Sequence, residues 1–331
     1  MNEFRTIVSP LPSKIKIGLN SGVLTIGSCF ADAVGSRLTA HKFLSSANPF
    51  GVIYNPVSIH NTLQDAFGNN LPNRETYLVH DGVHLNYTLH SSFSALERET
   101  LVKEVTDSFA ATSDFLKKAN VVMITYGTAW VYKRADTGLI VANCHKQPAR
   151  EFEKSLLTTS DIQQSFITMY DQLKKENERL RFILTVSPVR HIKDTLPLNN
   201  VSKAVLRLAC HELSSAYDDV EYFPAYEMLL DDLRDYRFYN RDMIHPTEEA
   251  EDYIWNALTQ TFMDDQAKEF IKEWKTIYTA LQHRPFHPAS SGHQIFLRQV
   301  LHKLEQLKSV INVNEEISSI RSQLLDSGNS N

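Results

Sequence analysis

Two short strings carry the residue types of nucleophilic catalysis. Gly27-Ser28-Cys29-Phe30-Ala31-Asp32 lies between the apolar run Val23-Leu24-Thr25-Ile26 and a helical pattern. Gly27 allows a tight strand-to-helix turn. Such a turn sets Ser28 and Cys29 at the head of the helix, where unpaired N–H groups and the positive end of the dipole favour a thiolate. A free cysteine is also among the most buried residue types and is then inert, so position alone leaves both readings open. The second string is Asp242-Met243-Ile244-His245-Pro246-Thr247. Its Asp-x-x-His spacing lets one turn present a carboxylate to the imidazole Nδ1–H, which orients the ring and leaves Nε2 as a general base. The plainer alternative is an Asp242 that only caps a turn. Thr247, followed by Glu248 and Glu249, reads as the start of the next helix.

Three further strings follow strand-like or hairpin-like stretches. Tyr126-Gly127-Thr128-Ala129-Trp130 offers a glycine N–H for an oxyanion, or simply turn geometry. Asn143-Cys144-His145-Lys146 gathers reactive side chains, or ends an edge strand with a buried cysteine. Ser187-Pro188-Val189-Arg190-His191 supplies Arg190, whose planar fork suits a carboxylate or phosphate; by itself it reads as a surface arginine.

The elements that must position these residues alternate in type. Val23-Leu24-Thr25-Ile26, Val121-Val122-Met123-Ile124-Thr125, Phe182-Ile183-Leu184-Thr185-Val186 and Val220-Glu221-Tyr222-Phe223 read as buried strands, with a further short one around Lys42 to Ser45. Helical patterns cover Asp32 to Ala40, Leu96 to Ala119, Asp161 to Arg179 and Asn200 to Tyr217. Alternation of this kind predicts parallel βαβ units in a three-layer α/β/α sandwich. Lys133 to Val141, with Asp136-Thr137-Gly138 at its centre, reads as a hairpin. Ligands in such sheets bind beyond the carboxyl ends of the strands, where the strings above fall.

The last third of the chain reads differently. Phe270, Trp274, Ile277 and Leu281 recur at helical spacing, as do Phe296, Val300, Leu304, Leu307 and Ile311 after a break at Pro285 to Gly292. The expected organisation is an α/β domain over 1–262, a helical hairpin over 263–325 and a disordered tail over 326–331. Two long amphipathic helices must bury their stripes, either on the α/β domain or in a homodimer.

Composition excludes several function classes. The chain has 331 residues, 42% of them hydrophobic and 22% charged, so it is long and apolar enough for a sizeable core. A net charge of -5 leaves no basic surplus to neutralise phosphates, which argues against a nucleic-acid partner. The segment Met1 to Gly22 carries no apolar h-region and no run approaches ~20 apolar residues. Three cysteines, Cys29, Cys144 and Cys210, are too sparse for a disulfide framework. A cytoplasmic protein without membrane insertion is expected.

Gly27-Ser28-Cys29-Phe30-Ala31 resembles, letter for letter, the motif that names the GSCFA family, which is grouped with the SGNH/GDSL hydrolase-like superfamily. Asn48-Pro49-Phe50-Gly51, Tyr54-Asn55-Pro56, Gly127-Thr128-Ala129-Trp130, Asn143-Cys144-His145-Lys146, Ser187-Pro188-Val189-Arg190 and Asp242-Met243-Ile244-His245-Pro246 are similar to the same family. The resemblance implies a flavodoxin-like sandwich with strand order 2-1-3-4-5. It also implies a hydrolase or acyltransferase acting on an ester, with Cys29 as nucleophile, His245 as base and Asp242 as orienter. The oxyanion glycine of the second block falls near Gly51. The third block, Gly-x-Asn in the superfamily, falls on Gly127-Thr128-Ala129, and Ala129 has no side-chain donor. Loss of one such donor costs ~10²–10³ in rate. Asn143 or His145 is the candidate replacement, and Ser28, Thr128 and Arg190 complete the expected oxyanion and substrate-binding set. The expected partner is a small-molecule or glycan ester, and no cofactor or metal is required. Three other readings stay open: a zinc site built from Cys29, Cys144, His145, Asp242 and His245, a Cys29–Cys144 redox pair, and a catalytically inactive binding or scaffold protein.

Overall fold

The computed structural model describes residues 6–10 and 12–324, so the expected tail over 326–331 lies outside the described residues. The strands are β1 (Val23–Gly27), β2 (Ser45–Ala47), β3 (Tyr77–His80), β4 (Val83–Asn86), β5 (Val121–Tyr126), β6 (Trp130–Arg134), β7 (Ile140–Val141), β8 (Phe152–Leu156), β9 (Arg181–Val186) and β10 (Val220–Tyr222). The helices are α1 (Cys29–Ala40), α2 (Pro56–Phe67), α3 (Arg98–Leu116), α4 (Thr159–Glu176), α5 (Leu196–Ala216), a short α6 (Ala225–Glu227), α7 (Glu248–Phe262), α8 (Asp265–Leu281), α9 (Ser291–Leu307) and α10 (Asn314–Gln323).

The central sheet is parallel and runs β10-β9-β5-β1-β2. Numbered by their appearance within this sheet, its strands follow the expected order 2-1-3-4-5. The central strands β1, β5 and β9 are almost wholly buried, which is why they read as continuous apolar runs rather than alternating ones. Leu24, Ile26, Val122, Ile124, Phe182 and Leu184 pack against α2 to α5 on one face. Val23, Val121, Met123 and Ile183 pack against α1 and α7 on the other. The result is the three-layer sandwich that the alternation predicts.

Three features depart from expectation. Helix α2 is absent from the periodicity reading, although Asn55 caps it and Pro56 stands in its first turn. The short second strand lies at Ser45–Ala47 rather than around Lys42 to Ser45, because Lys42 and Phe43 still close α1: Lys42 has φ +62° and Phe43 N donates back to Leu38 O at 3.0 Å. The C-terminal region is three helices, not a two-helix hairpin: Val313, Ile317 and Ile320 add α10 to the cluster built by Phe270, Trp274, Leu297 and Leu304. That cluster is tied to the sandwich by Trp274 Nε1, which donates to Ala40 O at 2.7 Å, and by the Lys42–Glu316 ion pair. The Asp136-Thr137-Gly138 turn joins β6 to β7 as read, and β8 adds a third strand on the other side of β6. Among the described residues no helix is long and apolar enough to cross a membrane.

Candidate active site

The nucleophile string is cranked between β1 and α1. Gly27 has φ +137°, and a Cβ there would stand 2.1 Å from Thr125 O, so only glycine fits. Ser28 N then donates to Thr125 O at 3.1 Å. Ser28 is fully buried, and its hydroxyl caps α1 by accepting from Phe30 N. Cys29 opens the helix and is half-buried. Asn48 clamps the crank: its Oδ1 accepts from Gly27 N at 2.8 Å and its Nδ2 donates to Asp32 Oδ1 at 2.7 Å.

Cys29 Sγ lies 3.7 Å from the Tyr54 hydroxyl. The segment carrying Tyr54 is stitched to both neighbouring strands. Ile53 N donates to Gly27 O at 3.0 Å, and Tyr54 O accepts from Gly127 N at 2.8 Å and Thr128 N at 3.1 Å. A Cβ on Gly127 would meet Tyr54 Cδ1 at 3.0 Å, so the glycine makes room for the phenol ring. Burial, and then the adjacent Cys29, push the Tyr54 phenol well above its ordinary value, which keeps its proton in place.

The base string folds on itself. Asp242 Oδ1 accepts from Ile244 N at 2.9 Å and His245 N at 3.1 Å, and Asp242 Oδ2 meets His245 Nδ1 at 2.7 Å. The hydrogen bond from His245, followed by those two backbone N–H groups, holds the Asp242 carboxyl down to about 2. Among the described residues His245 Nε2 has no hydrogen-bond partner. Arg190 holds this loop from below. Its guanidinium stacks 3.9 Å from the Tyr239 ring centroid, and its backbone N donates to Ile244 O at 3.3 Å.

The two strings do not hydrogen-bond each other directly. Tyr54 touches Cys29 and meets the His191 ring edge-on at 5.0 Å between centroids. Burial, then the charges of Lys203 and His245, push His191 down to about 4, so its ring is neutral near pH 7. Contacts thus link Cys29 to Tyr54 and Tyr54 to His191, and the charge of His245 is felt at His191.

Residues 22–258 match the GSCFA family, and residues 274–326 match the C-terminal domain of GSCFA domain proteins. The chain belongs to the GSCFA family. Two solved structures resemble it at low similarity. One is a carbohydrate esterase family 3 protein from Talaromyces cellulolyticus, 10% identical, with 77% of this chain and 99% of that chain covered at a TM-score of 0.33. The other is a mutant acetyl esterase with acetate ion, 10% identical, with 78% and 99% covered at a TM-score of 0.33. At that similarity neither bears on the reaction of this GSCFA protein. No curated protein matches the chain.

Several expected binding residues of the GSCFA protein have other work. Ser28 is a buried cap rather than a ligand-facing hydroxyl. The Gly51 N–H donates to Asn48 O at 2.8 Å within a turn where Gly51 has φ +71°, so it is engaged as a turn donor and not as an oxyanion donor. The Gly127 and Thr128 N–H groups are likewise taken by Tyr54 O, and the Thr128 hydroxyl pairs with Ser202 at 3.1 Å. Asn143 and His145 hold one another: Asn143 Oδ1 accepts from His145 N at 2.9 Å, and Asn143 Nδ2 donates to Ser91 Oγ at 3.0 Å. His145 is buried and its Nε2 meets Asn86 O at 2.7 Å, which makes it a brace for the β3–β4 hairpin. Arg190 fixes the base loop instead of presenting its fork to a ligand. All three cysteines are free. Among the described residues no cluster of three or more His, Cys, Asp or Glu side chains suited to a metal ion occurs, and the donors named for zinc do not gather.

Sequence reading missed the polar face of α5. Asn199 Oδ1 accepts from His191 N at 3.0 Å, Ser202 Oγ accepts from Ala129 N at 2.7 Å, and Lys203 Nζ donates to Gly127 O at 2.8 Å and Ser187 O at 2.7 Å. This face pins the loops after β5 and β9 together. Burial lowers the Lys203 ammonium to about 7. A signal existed: three polar residues at helical spacing interrupt what is otherwise an apolar stripe ending in Leu206, Ala209, Cys210 and Leu213.

Proposed function

We propose that this GSCFA protein is an acyl-transfer enzyme of esterase type, in which Cys29 attacks a small-molecule or glycan ester. The reading is carried by the 2.7 Å Asp242–His245 contact, which fixes the imidazole with Nε2 as the unengaged nitrogen. Cys29 is the cysteine suited to the other half of the chemistry. It is half-buried at a helix head, whereas Cys210 is buried within the core and Cys144 lies outside any helix. Burial raises the thiols of both Cys144 and Cys210.

In the first step His245 takes the Cys29 proton and the sulfur forms a bond to the ester carbonyl carbon. The carbonyl electron pair moves onto oxygen and returns as the ester C–O bond breaks. The alkoxide leaves with the proton from His245, and a thioester remains on Cys29. Water, deprotonated by His245, then cleaves the thioester to a carboxylic acid and the free thiol; an alcohol acceptor in place of water yields a new ester. The exposed base loop, not the clamped nucleophile, closes the remaining distance when substrate is present.

The test uses p-nitrophenyl acetate, with released p-nitrophenol and peptide mass mapping as readouts. The expected result is acetylation at Cys29, lost with turnover in Cys29→Ala. Ser28→Ala costs about 1 kcal/mol of stability as a lost cap but leaves the label. Undiminished turnover in Cys29→Ala overturns the assignment.

A further inference from the structure

Ala129, beside Gly127 and Thr128, is buried and apolar and offers no side-chain donor. The structure places a donor nearby. Tyr54 packs over Gly127, its carbonyl accepts both Gly127 N and Thr128 N, and its hydroxyl lies 3.7 Å from Cys29 Sγ. We propose that the Tyr54 hydroxyl is a catalytic hydrogen-bond donor to the oxyanion formed on the carbon that Cys29 attacks. The proposal rests on the acyl-transfer reading above.

Three observations support it. The ring is fixed from both ends, by the backbone bonds to β1 and the third block and by its edge contact with His191, so the donor is preorganised. The contact with sulfur is long for the resting enzyme. An oxyanion oxygen, bonded to the carbon that Sγ attacks, stands off the sulfur and closes that gap, so the bond strengthens as charge develops. The phenol keeps its proton, because burial and the neighbouring Cys29 both oppose ionisation. A second donor is at hand in the Cys29 N–H, a first-turn amide with no partner among the described residues.

The experiment compares two reactions of Cys29 in the full chain, wild type and Tyr54→Phe. Acetylation by p-nitrophenyl acetate passes through an oxyanion on the carbon bonded to sulfur; alkylation by iodoacetamide does not. The expected result is acetylation slower by about 10²-fold with alkylation at the wild-type rate. Equal acetylation rates, or equal losses in both reactions, overturn the proposal. The second pattern would make Tyr54 a support for the thiol alone. A wild-type chain that alkylates at Cys29 but never acetylates there overturns the acyl-transfer reading itself, a distinct outcome. Cys210 reports folding, since its buried thiol alkylates only when the core opens. If Tyr54→Phe exposes Cys210, 3-fluorotyrosine introduced at position 54 keeps the ring and sharpens the donor. Acetylation faster than wild type with unchanged alkylation is then expected, and no change overturns the proposal.

Discussion

The two halves of the candidate site are held in opposite ways. The nucleophile half is woven into the sheet: Gly27, Asn48 and Thr125 fix the crank through contacts between β1, β5 and the segment after β2. The base half is a surface turn in which Asp242 caps Ile244 and His245, anchored from below by Arg190, with the Asp242 and His245 side chains about two-fifths exposed. On the proposed reading, rigid placement belongs to the attacking group and local freedom to the group that would shuttle the proton. Local opening is cheapest where few buried contacts are lost, so any closure of the site is expected to come from residues 240–247.

Three substitutions test that contrast. Gly27→Ala gives the largest effect. The added methyl would meet Thr125 backbone at 2.1 Å and the φ of +137° disfavours any side chain, so a loss above ~4 kcal/mol, or no folded protein, is expected by urea unfolding. A stable Gly27→Ala chain would break the comparison. Asp242→Asn acts on the other half and leaves folding alone, because the amide keeps an oxygen for the two backbone N–H groups. Turnover with p-nitrophenyl acetate should fall by about 10³-fold, from loss of the carboxylate that holds the imidazole. Because the Asp242 carboxyl is held down to about 2, this support persists as pH falls from neutral and is lost only as pH approaches that value.

Lys203→Met gives the smallest effect and probes the brace between the loops. Two buried carbonyls, Gly127 O and Ser187 O, lose their donor, at a cost of about 2 kcal/mol near pH 7. The folded group titrates at about 7 and the unfolded one near ~10.4, so between these values the unfolded chain binds the extra proton. Wild-type stability therefore gains from this group as pH rises through that window, and Lys203→Met lacks the gain. Urea unfolding at pH 7 and pH 9 should show the gap widening; a constant or narrowing gap removes the buried ammonium from the account.

Much of the fold was legible because burial on both faces forces β1, β5 and β9 into apolar runs that no amphipathic helix resembles. Helix α2 escaped because the polar Ser58, His60 and Thr62 share its buried face with Ile59, Leu63 and Phe67 and dilute the apolar signal; Asn55-Pro56 is the local sign of its start. The Asp242–His245 contact was readable from spacing, since three residues close one turn. The work of Gly51, Gly127 and His145 was not, because a backbone N–H or ring nitrogen takes whichever acceptor the tertiary packing supplies.

By itself the sequence determined the local pieces: which runs become strands, where a helix begins, and that a carboxylate sits beside an imidazole. Each depends on residues within a few positions of one another. Only the tertiary structure decided that Tyr54 reaches Cys29, that α5 ties two distant loops, and that His191 stands beside Tyr54. Those contacts join residues well beyond local range, and the order of strands in the sheet, not any local preference, brings them together.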